Sequence, residues 1–202
     1  MTDAVRQIQA RLGRLQPGNV VFLCCDVQER FRNVLPRMHH VILAAKTMLS
    51  GADIYGIPVI VSEHYPKSLL HTCAELDISR ARVFEKTRFS MCTNEFLAYL
   101  ENQKRRACVL FGVEAHVALE QTAFDLLSRG YQVHILHDGV SSQRSSDSFS
   151  AVNRLRQSGA FVTSVESVLF ELLRSKDATE FKQVSALVKS HGDELRRTTV
   201  SI

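Results

Sequence analysis

The chain has 202 residues, of which 45% are hydrophobic and 23% are charged, and its formal net charge at pH 7 is +4. This composition is that of an ordinary globular domain, and it excludes the disordered and collagen-like classes. The longest apolar runs, such as Val20 to Cys25, are far shorter than the roughly 20 residues that cross a bilayer, so we expect no membrane insertion.

The amino terminus and the cysteines indicate the compartment. No apolar signal segment follows the amino terminus, and the five cysteines lack the spacing of a disulfide framework, so we expect the reducing environment of the cytoplasm. Arg6, Arg11 and Arg14 alternate with apolar residues at helical spacing and loosely resemble an organelle-targeting helix. Mitochondrial import is therefore an alternative, and residues 1–17 are interpreted as an N-terminal helix or weak targeting segment.

Short β-branched runs alternate with longer amphipathic stretches, which is the pattern of βαβ units around a parallel sheet. The predicted strands lie, in chain order, at 19–25, 57–61, 82–85, 107–111, 132–136 and 160–163. The predicted helices lie at 36 to about 51–56, 93–101, 113–129, 166–174 and 179–189. A further helix is predicted from the second half of the serine-rich segment 141–150 to Gly159. The predicted fold is α/β, a three-layer αβα sandwich of Rossmann-like type with a six-stranded parallel sheet. One domain spans 18–190, and 191–202 form a flexible tail.

Charged residues stand at the ends of two of these strands. Asp26 directly follows the first strand, and Lys86 follows the third. A carboxylate next to a buried strand costs free energy unless it is paired or used, and the carboxyl ends of parallel strands share one edge of a sheet. We therefore expect Lys86 to be the counter-ion of Asp26. Taken singly, each residue also fits an ordinary role, Asp26 as a helix cap and Lys86 as a solvated charge.

A turn that begins at a glycine follows the fourth predicted strand. Gly112 ends that strand, and the segment from Val113 to Ala118 leads into a helix whose first amides can bind an anion.

Together these three segments resemble the isochorismatase-like hydrolases, a family of cysteine hydrolases that includes nicotinamidases and carbamoylsarcosine amidohydrolases. The likeness covers about residues 18–185. It rests on the Asp26, Val27, Gln28 turn, on Glu85, Lys86, Thr87, and above all on Gly112, Val113, Glu114, Ala115 ahead of a helix. The stretch 156–161 is similar to the branch called isochorismatase domain-containing proteins.

The resemblance implies a triad of aspartate, lysine and cysteine. Asp26 would be the proton acceptor, Lys86 would orient groups or stabilise charge, and a nucleophilic thiol would stand at position 118, where this chain has alanine. The resemblance also implies a cis peptide between Val113 and Glu114, with the amides of Glu114 and Ala118 forming the anion hole. The expected pocket residues are Gln28, Phe31, Tyr65, Phe89 and His116.

Two other features of the sequence bear on the missing thiol: a second cysteine and a set of candidate metal ligands. Cys92 follows Lys86 by six residues at a predicted helix start, which would favour a thiolate, but a nucleophile must also converge with its base and anion hole. Nicotinamidases bind a divalent ion through an Asp-x-His pair, whereas this chain has Glu63, His64 and His71. We predict no metal and no other cofactor.

Three functions stay open. The first is a hydrolase-fold pseudoenzyme, expected to be a homo-oligomer, that binds a small carboxylate or amide with little or no thiol-dependent hydrolysis. The second is the acid-catalysed route of true isochorismatases, in which Asp26 with Lys86 would protonate an enol ether. The third is a ribonuclease, which is how a trypanosomatid member of the branch is described. The chain has no recognisable set of ribonuclease catalytic residues, since His39 and His40 lie on a predicted helix away from the strand ends. Nucleic acid is therefore not an expected partner.

Overall fold

The structure is a computed structural model that describes residues 12–199. Its centre is a sheet of six parallel strands in the order β3-β2-β1-β4-β5-β6. The strands are β1 (Val20–Cys25), β2 (Val59–His64), β3 (Arg82–Lys86), β4 (Ala107–Val113), β5 (Gln132–Ser141) and β6 (Phe161–Thr163). The strand order reverses between β1 and β4, which is where open α/β sheets form ligand crevices.

Seven α-helices are described between residues 12 and 199. They are α1 (Met38–Tyr55), the single turn α2 (Pro66–Leu69), α3 (Asn94–Asn102), α4 (Glu120–Leu127), α5 (Ser145–Gln157), α6 (Val165–Leu173) and α7 (Phe181–Thr199). None of the helices in this part of the chain is both long and apolar enough to span a membrane.

The apolar core consists of two clusters, one on each face of the sheet. Alternate residues of β1 divide between them: Val20, Phe22 and Cys24 face one cluster, and the intervening residues face the other. The first cluster includes buried residues of α1, α6 and α7, and the second includes residues of α3, α4 and α5. A central parallel strand covered on both faces must be apolar throughout, which explains the sequence of β1. The predicted three-layer α/β fold is confirmed.

Several predicted boundaries are wrong. The second strand begins at Val59 rather than at 57, and β5 continues through His137 to Ser141 instead of ending at 136. A register shift between Leu110 and Gly112 keeps this extension paired with β4. The predicted helix at 113–129 is divided, because a π turn at Ala115–Leu119 precedes α4.

The carboxyl-terminal helix is longer than the sequence predicts. Helix α7 continues to Thr199, past Gly192, where a loose tail was expected. His191 is 7% exposed and its Nδ1 lies 2.9 Å from the hydroxyl of Thr47 on α1, which ties this part of α7 to the body of the protein. Most of the predicted N-terminal segment, residues 1–11, lies outside the described residues.

Candidate active site

A buried ion pair lies at the carboxyl edge of the sheet. The Nζ atom of Lys86 is 2.6 Å from Oδ2 of Asp26, and Ser62 donates its hydroxyl to Oδ1 of Asp26, also at 2.6 Å. Asp26 is 2% exposed and Lys86 is 5% exposed. Since β2 lies between β1 and β3, it supplies Ser62 at the site where the other two strands place the charges.

The lysine is held by more than its counter-ion. Lys86 also donates to the carbonyl oxygens of Phe89 at 2.8 Å and Arg88 at 3.3 Å. An ammonium group has three N–H donors, so all three are used within the fold. The ammonium group therefore has a fixed position, and its charge is available to a ligand mainly through space.

Burial controls the proton affinity of Asp26. Removal from water raises the pKa of this carboxyl, while the charge of Lys86 and the hydrogen bonds from Lys86 and Ser62 oppose the rise without cancelling it. Asp26 therefore takes up a proton at a higher pH than an ordinary aspartate does.

The close approach of β1 and β4 places the turn after β4 next to Asp26. Cys25, the last residue of β1, pairs with Gly112, and a Cβ atom built on Gly112 would lie 2.0 Å from the carbonyl oxygen of Cys25. Gly112 also has a φ of 126°, so both space and backbone conformation require glycine here. Asp26 itself adopts the left-handed conformation, with a φ of 53°.

The turn after β4 contains the predicted cis peptide between Val113 and Glu114. Glu114 caps the π turn, and its carbonyl accepts hydrogen bonds from the amides of Val117 and Leu119. Ala118 is 5% exposed and belongs to the same apolar cluster as Cys25, while its carbonyl accepts the hydroxyl of Thr122 at 2.6 Å. The methyl group at position 118 is thus packed into the protein.

The surroundings of the five cysteines disfavour the thiolate form. All five are buried and free, and all lie within the described residues. Burial raises the pKa of Cys92 to about 11, and its sulfur lies 4.0 Å from the carbonyl of Thr122. The expectation that its position favours a thiolate is therefore wrong. Burial likewise raises the pKa of the other four thiols.

The predicted pocket residues fall into different places. Tyr65 and Lys86 line a cavity of about 550 Å³. Phe89 is 52% exposed and stacks on His64, with 5.7 Å between ring centroids. Phe31 packs partly buried against the core, and the Nδ1 atom of His116 lies 2.9 Å from the hydroxyl of Ser142.

Gln28 forms hydrogen bonds within the fold. It is fully buried, and its side-chain amide donates to the carbonyls of His64 and Leu70 and accepts from the amide of His64. This side chain therefore holds the loops around the site together, and both of its N–H donors are used within the fold.

Sequence reasoning missed Ser62 and gave His64 no role in the site. A serine at a buried position of β2, the strand next to β1, was the available signal for Ser62. The Nδ1 atom of His64 is buried without a partner among the described residues, at a strand position that pairs with Lys86. Both residues therefore belong to the surroundings of the ion pair.

Two of the three residues considered as metal ligands, Glu63 and His71, contact each other. Glu63 is 4% exposed and accepts hydrogen bonds from the amide and hydroxyl of Thr72, both at 2.7 Å, while His71 Nδ1 lies 2.8 Å away. Burial raises the pKa of Glu63, but these hydrogen bonds outweigh it and lower the pKa overall. Between residues 12 and 199, no group of three or more potential ligand side chains is placed to hold a metal.

Comparison with known proteins decides the family. The family model for the isochorismatase domain matches residues 20–167. The chain belongs to the isochorismatase-like hydrolase family. The family predicted from the sequence is thus confirmed.

Individual relatives agree with this assignment. Isochorismatase domain-containing protein 1 of Salmo salar is 45% identical over 91% of this chain, and the chain spans 65% of that relative's length. The structure of a MAR1 ribonuclease from Caenorhabditis elegans has a TM-score of 0.83 and 36% identity, covering 87% of this chain and 92% of that one. The YcaC gene product of Escherichia coli, an octameric hydrolase of unknown specificity, has a TM-score of 0.83 at 18% identity, covering 93% and 95% of the two chains, and so shares the fold.

The buried pair can be tested by a double-mutant cycle. Lys86→Met leaves Asp26 buried without its counter-charge, and we expect a loss of about 3 to 5 kcal/mol in the free energy of unfolding. Adding Asp26→Asn removes the second charge, so the double variant should lose at least about 1 kcal/mol less than the sum of the single losses. Urea denaturation at pH 7 measures all four proteins.

The exposed pair of Arg80 and Asp53, whose nitrogen and oxygen lie 3.0 Å apart, is the matched control. Arg80→Met and Asp53→Asn should each change the free energy of unfolding by no more than about 1 kcal/mol. Additive losses for Lys86→Met and Asp26→Asn would contradict an energetically coupled pair.

Proposed function

We propose that this protein binds a small carboxylate or amide beside the ion pair of Asp26 and Lys86, with little or no thiol-dependent hydrolysis. The observation that carries the proposal is the alanine at position 118, where the family resemblance implies a thiol, in a chain whose five cysteines are all buried. A hydrolase that proceeds through a thioester needs a thiolate next to its base. This chain has the charged pair of Asp26 and Lys86 and the turn after β4, but it has alanine in place of the nucleophilic cysteine at position 118.

The proposed ligand contacts follow from the arrangement of donors. The three N–H groups of Lys86 are already used, so the anionic or carbonyl oxygen of a ligand is assigned to the backbone amides of Glu114 and Ala118 at the turn after β4. Tyr65 and Phe89, both about half exposed, would cover the apolar part of the ligand. Asp26 would accept or return a proton at the ligand.

We also propose that the protein acts as a homo-oligomer. The support is the shared fold with YcaC, which is octameric. Exposed apolar side chains, including Val34, Leu70 and Phe89, would be covered in such an assembly.

Restoring a thiol tests the proposed function. In Ala118→Cys the new thiol would stand within the π turn after β4, at the position where the family resemblance implies a nucleophile, and we expect it to react with iodoacetamide at pH 7 faster than any natural cysteine. We further expect the variant to hydrolyse an amide such as nicotinamide in a reaction that iodoacetamide abolishes, while the natural chain shows no such activity. Mass spectrometry of the alkylated peptides and an ammonia assay provide the two readouts.

The matched control is Ala115→Cys, which places a thiol in the same turn at a position that is 1% exposed. It should show neither rapid alkylation nor amidase activity. Iodoacetamide-sensitive hydrolysis by the natural chain would overturn the proposal, and equal alkylation rates at 115 and 118 would show that position 118 is not a nucleophile site.

A second function is favoured by one observation, the raised pKa of the Asp26 carboxyl. A protonated Asp26 can donate its proton to the terminal carbon of an enol ether, which leaves an oxocarbenium ion. Water then adds to that ion, and the hemiketal collapses to pyruvate and the released alcohol. Lys86 would stabilise the carboxylate that remains after proton transfer.

Isochorismate distinguishes this route from binding alone. If the acid mechanism operates, the natural chain releases pyruvate from isochorismate, the rate falls as pH rises through the pKa of Asp26, and Asp26→Asn abolishes it. Asp53→Asn, which alters a carboxylate that is 55% exposed, should retain the full rate. Pyruvate can be followed with lactate dehydrogenase, and a rate equal to the uncatalysed one would reject isochorismate as substrate.

A further inference from the structure

A second cavity of about 350 Å³ lies at the carboxyl end of β5, away from the lysine of the ion pair. Its wall includes Arg37 from the start of α1, His137 and Val140 from β5, and residues of the first two turns of α5. Neither Asp26 nor Ala118 lines it. A volume of this size lies at the lower end of the range for small-molecule sites, roughly 300 to 1,000 Å³.

The cavity presents a guanidinium group that the protein does not neutralise. Arg37 is exposed and forms no ion pair with any acidic side chain described between residues 12 and 197. The nearby Arg144, in contrast, lies 3.8 Å from the carboxylate of Asp147. Since a guanidinium presents paired donors that match a carboxylate, Arg37 is available to an anion in the cavity.

Helix α5 adds hydrogen-bond donors on the same side. The helix has 13 residues and begins at Ser145, and its N-cap residue Arg144 provides no side-chain cap. Ser145 and Ser148, from its first turn, line the cavity. The amides of Asp147 and Ser148 donate to the carbonyl of Arg144, which leaves the amides of Ser145 and Ser146 for an anion. The helix dipole also favours negative charge here, and the acidic Asp147 in the same turn is paired with Arg144. Arg37 and these donors belong to different elements and converge on one cavity.

Part of the remaining wall is apolar, beside His137, Ser141 and Ser142. Val140 and Val152 line it together with Phe149, whose side chain is 71% exposed. An aromatic ring exposed to this extent at the rim of a cavity can stack on a second ring and recover the free energy of burying both. The cavity therefore joins a polar end with donors to an apolar end with an open aromatic face.

We propose that this cavity is a binding site for an aromatic carboxylate. The carboxylate would pair with Arg37 and accept hydrogen bonds from the first turn of α5, and its ring would lie against Phe149 and Val152. One unpaired cation in the wall balances a single negative charge, which favours a carboxylate over a phosphate dianion. The site is distinct from the one at Asp26 and Lys86 and does not depend on the function proposed for it.

The cavity is nevertheless joined to the turn after β4. Ser142, in its wall, lies 2.9 Å from Nδ1 of His116, and the amide of Gln143 donates to Glu114 at 3.1 Å. A ligand in this cavity can therefore also affect the turn at position 118. NMR signals from both the cavity wall and Ala118 are needed to show which of the two sites the ligand occupies.

The test is a titration of the full chain with benzoate, followed by methyl NMR. We expect saturable shifts at the methyl groups of Val140 and Val152, and a dissociation constant at least about tenfold larger for Arg37→Gln, since a charged hydrogen bond is lost. Benzamide has the same shape without the charge and should bind at least about tenfold more weakly than benzoate. Arg144→Gln removes an equal charge from the same region but not from the cavity wall, and should stay within about twofold of the natural chain.

Each alternative outcome has a definite meaning. Equal affinities for benzoate and benzamide, or equal losses in Arg37→Gln and Arg144→Gln, would overturn the proposal in favour of apolar or diffuse electrostatic binding. Tighter binding of phenyl phosphate than of benzoate would overturn the assignment to carboxylates. Shifts confined to the Ala118 methyl group would place benzoate at the first site, which would support the proposed function and reject this one.

Discussion

The structure depends on burying two opposite charges at the carboxyl edge of a parallel sheet. Removing Asp26 and Lys86 from water costs several kcal/mol for each ion, and this cost is offset only if every donor and acceptor finds a partner. The carboxylate receives Lys86 and Ser62, and the ammonium group is completed by two backbone carbonyls. Strands β1, β2 and β3 must therefore keep their order and register, because each contributes one polar group to the same point.

The pair also limits what the site can do chemically. Lys86 has no free N–H group, so its charge and the position that it gives to Asp26 are what it can contribute to the proposed binding. Asp26 is the group that can exchange a proton, and burial raises its pKa. At a site with alanine at position 118, we propose that Asp26 transfers a proton and that the turn after β4 binds the anion.

The sequence was sufficient to predict what arises from repeating patterns and from short-range constraints. The alternation of β-branched and amphipathic segments gave the six strands, and the position of Asp26 after one strand and Lys86 after another gave their pairing, because parallel strands end at one edge. Gly112 was interpreted as a strand breaker, whereas the structure shows that it remains within β4 and permits contact with Cys25.

Contacts that do not follow from the shared edge of parallel strands lie beyond sequence reasoning. Gln28 looked like a ligand contact because it follows Asp26, yet its amide is used by His64 and Leu70, which are 36 and 42 residues away. Cys92 looked reactive because it stands near a helix start, but its burial, which raises the pKa, depends on packing that no local pattern contains. The cavity beside Arg37 likewise brings together α1, β5 and α5, and only the fold reveals it.

The most direct test of this account is the titration of the Asp26 carboxyl by carbon-13 NMR, in the natural chain and in Lys86→Met. We predict a midpoint above the ordinary aspartate value of about 3.9 in the natural chain, and a higher midpoint still when the positive charge is removed. A midpoint at or below the ordinary value, or one that Lys86→Met does not change, would show that burial and the lysine do not govern this carboxyl.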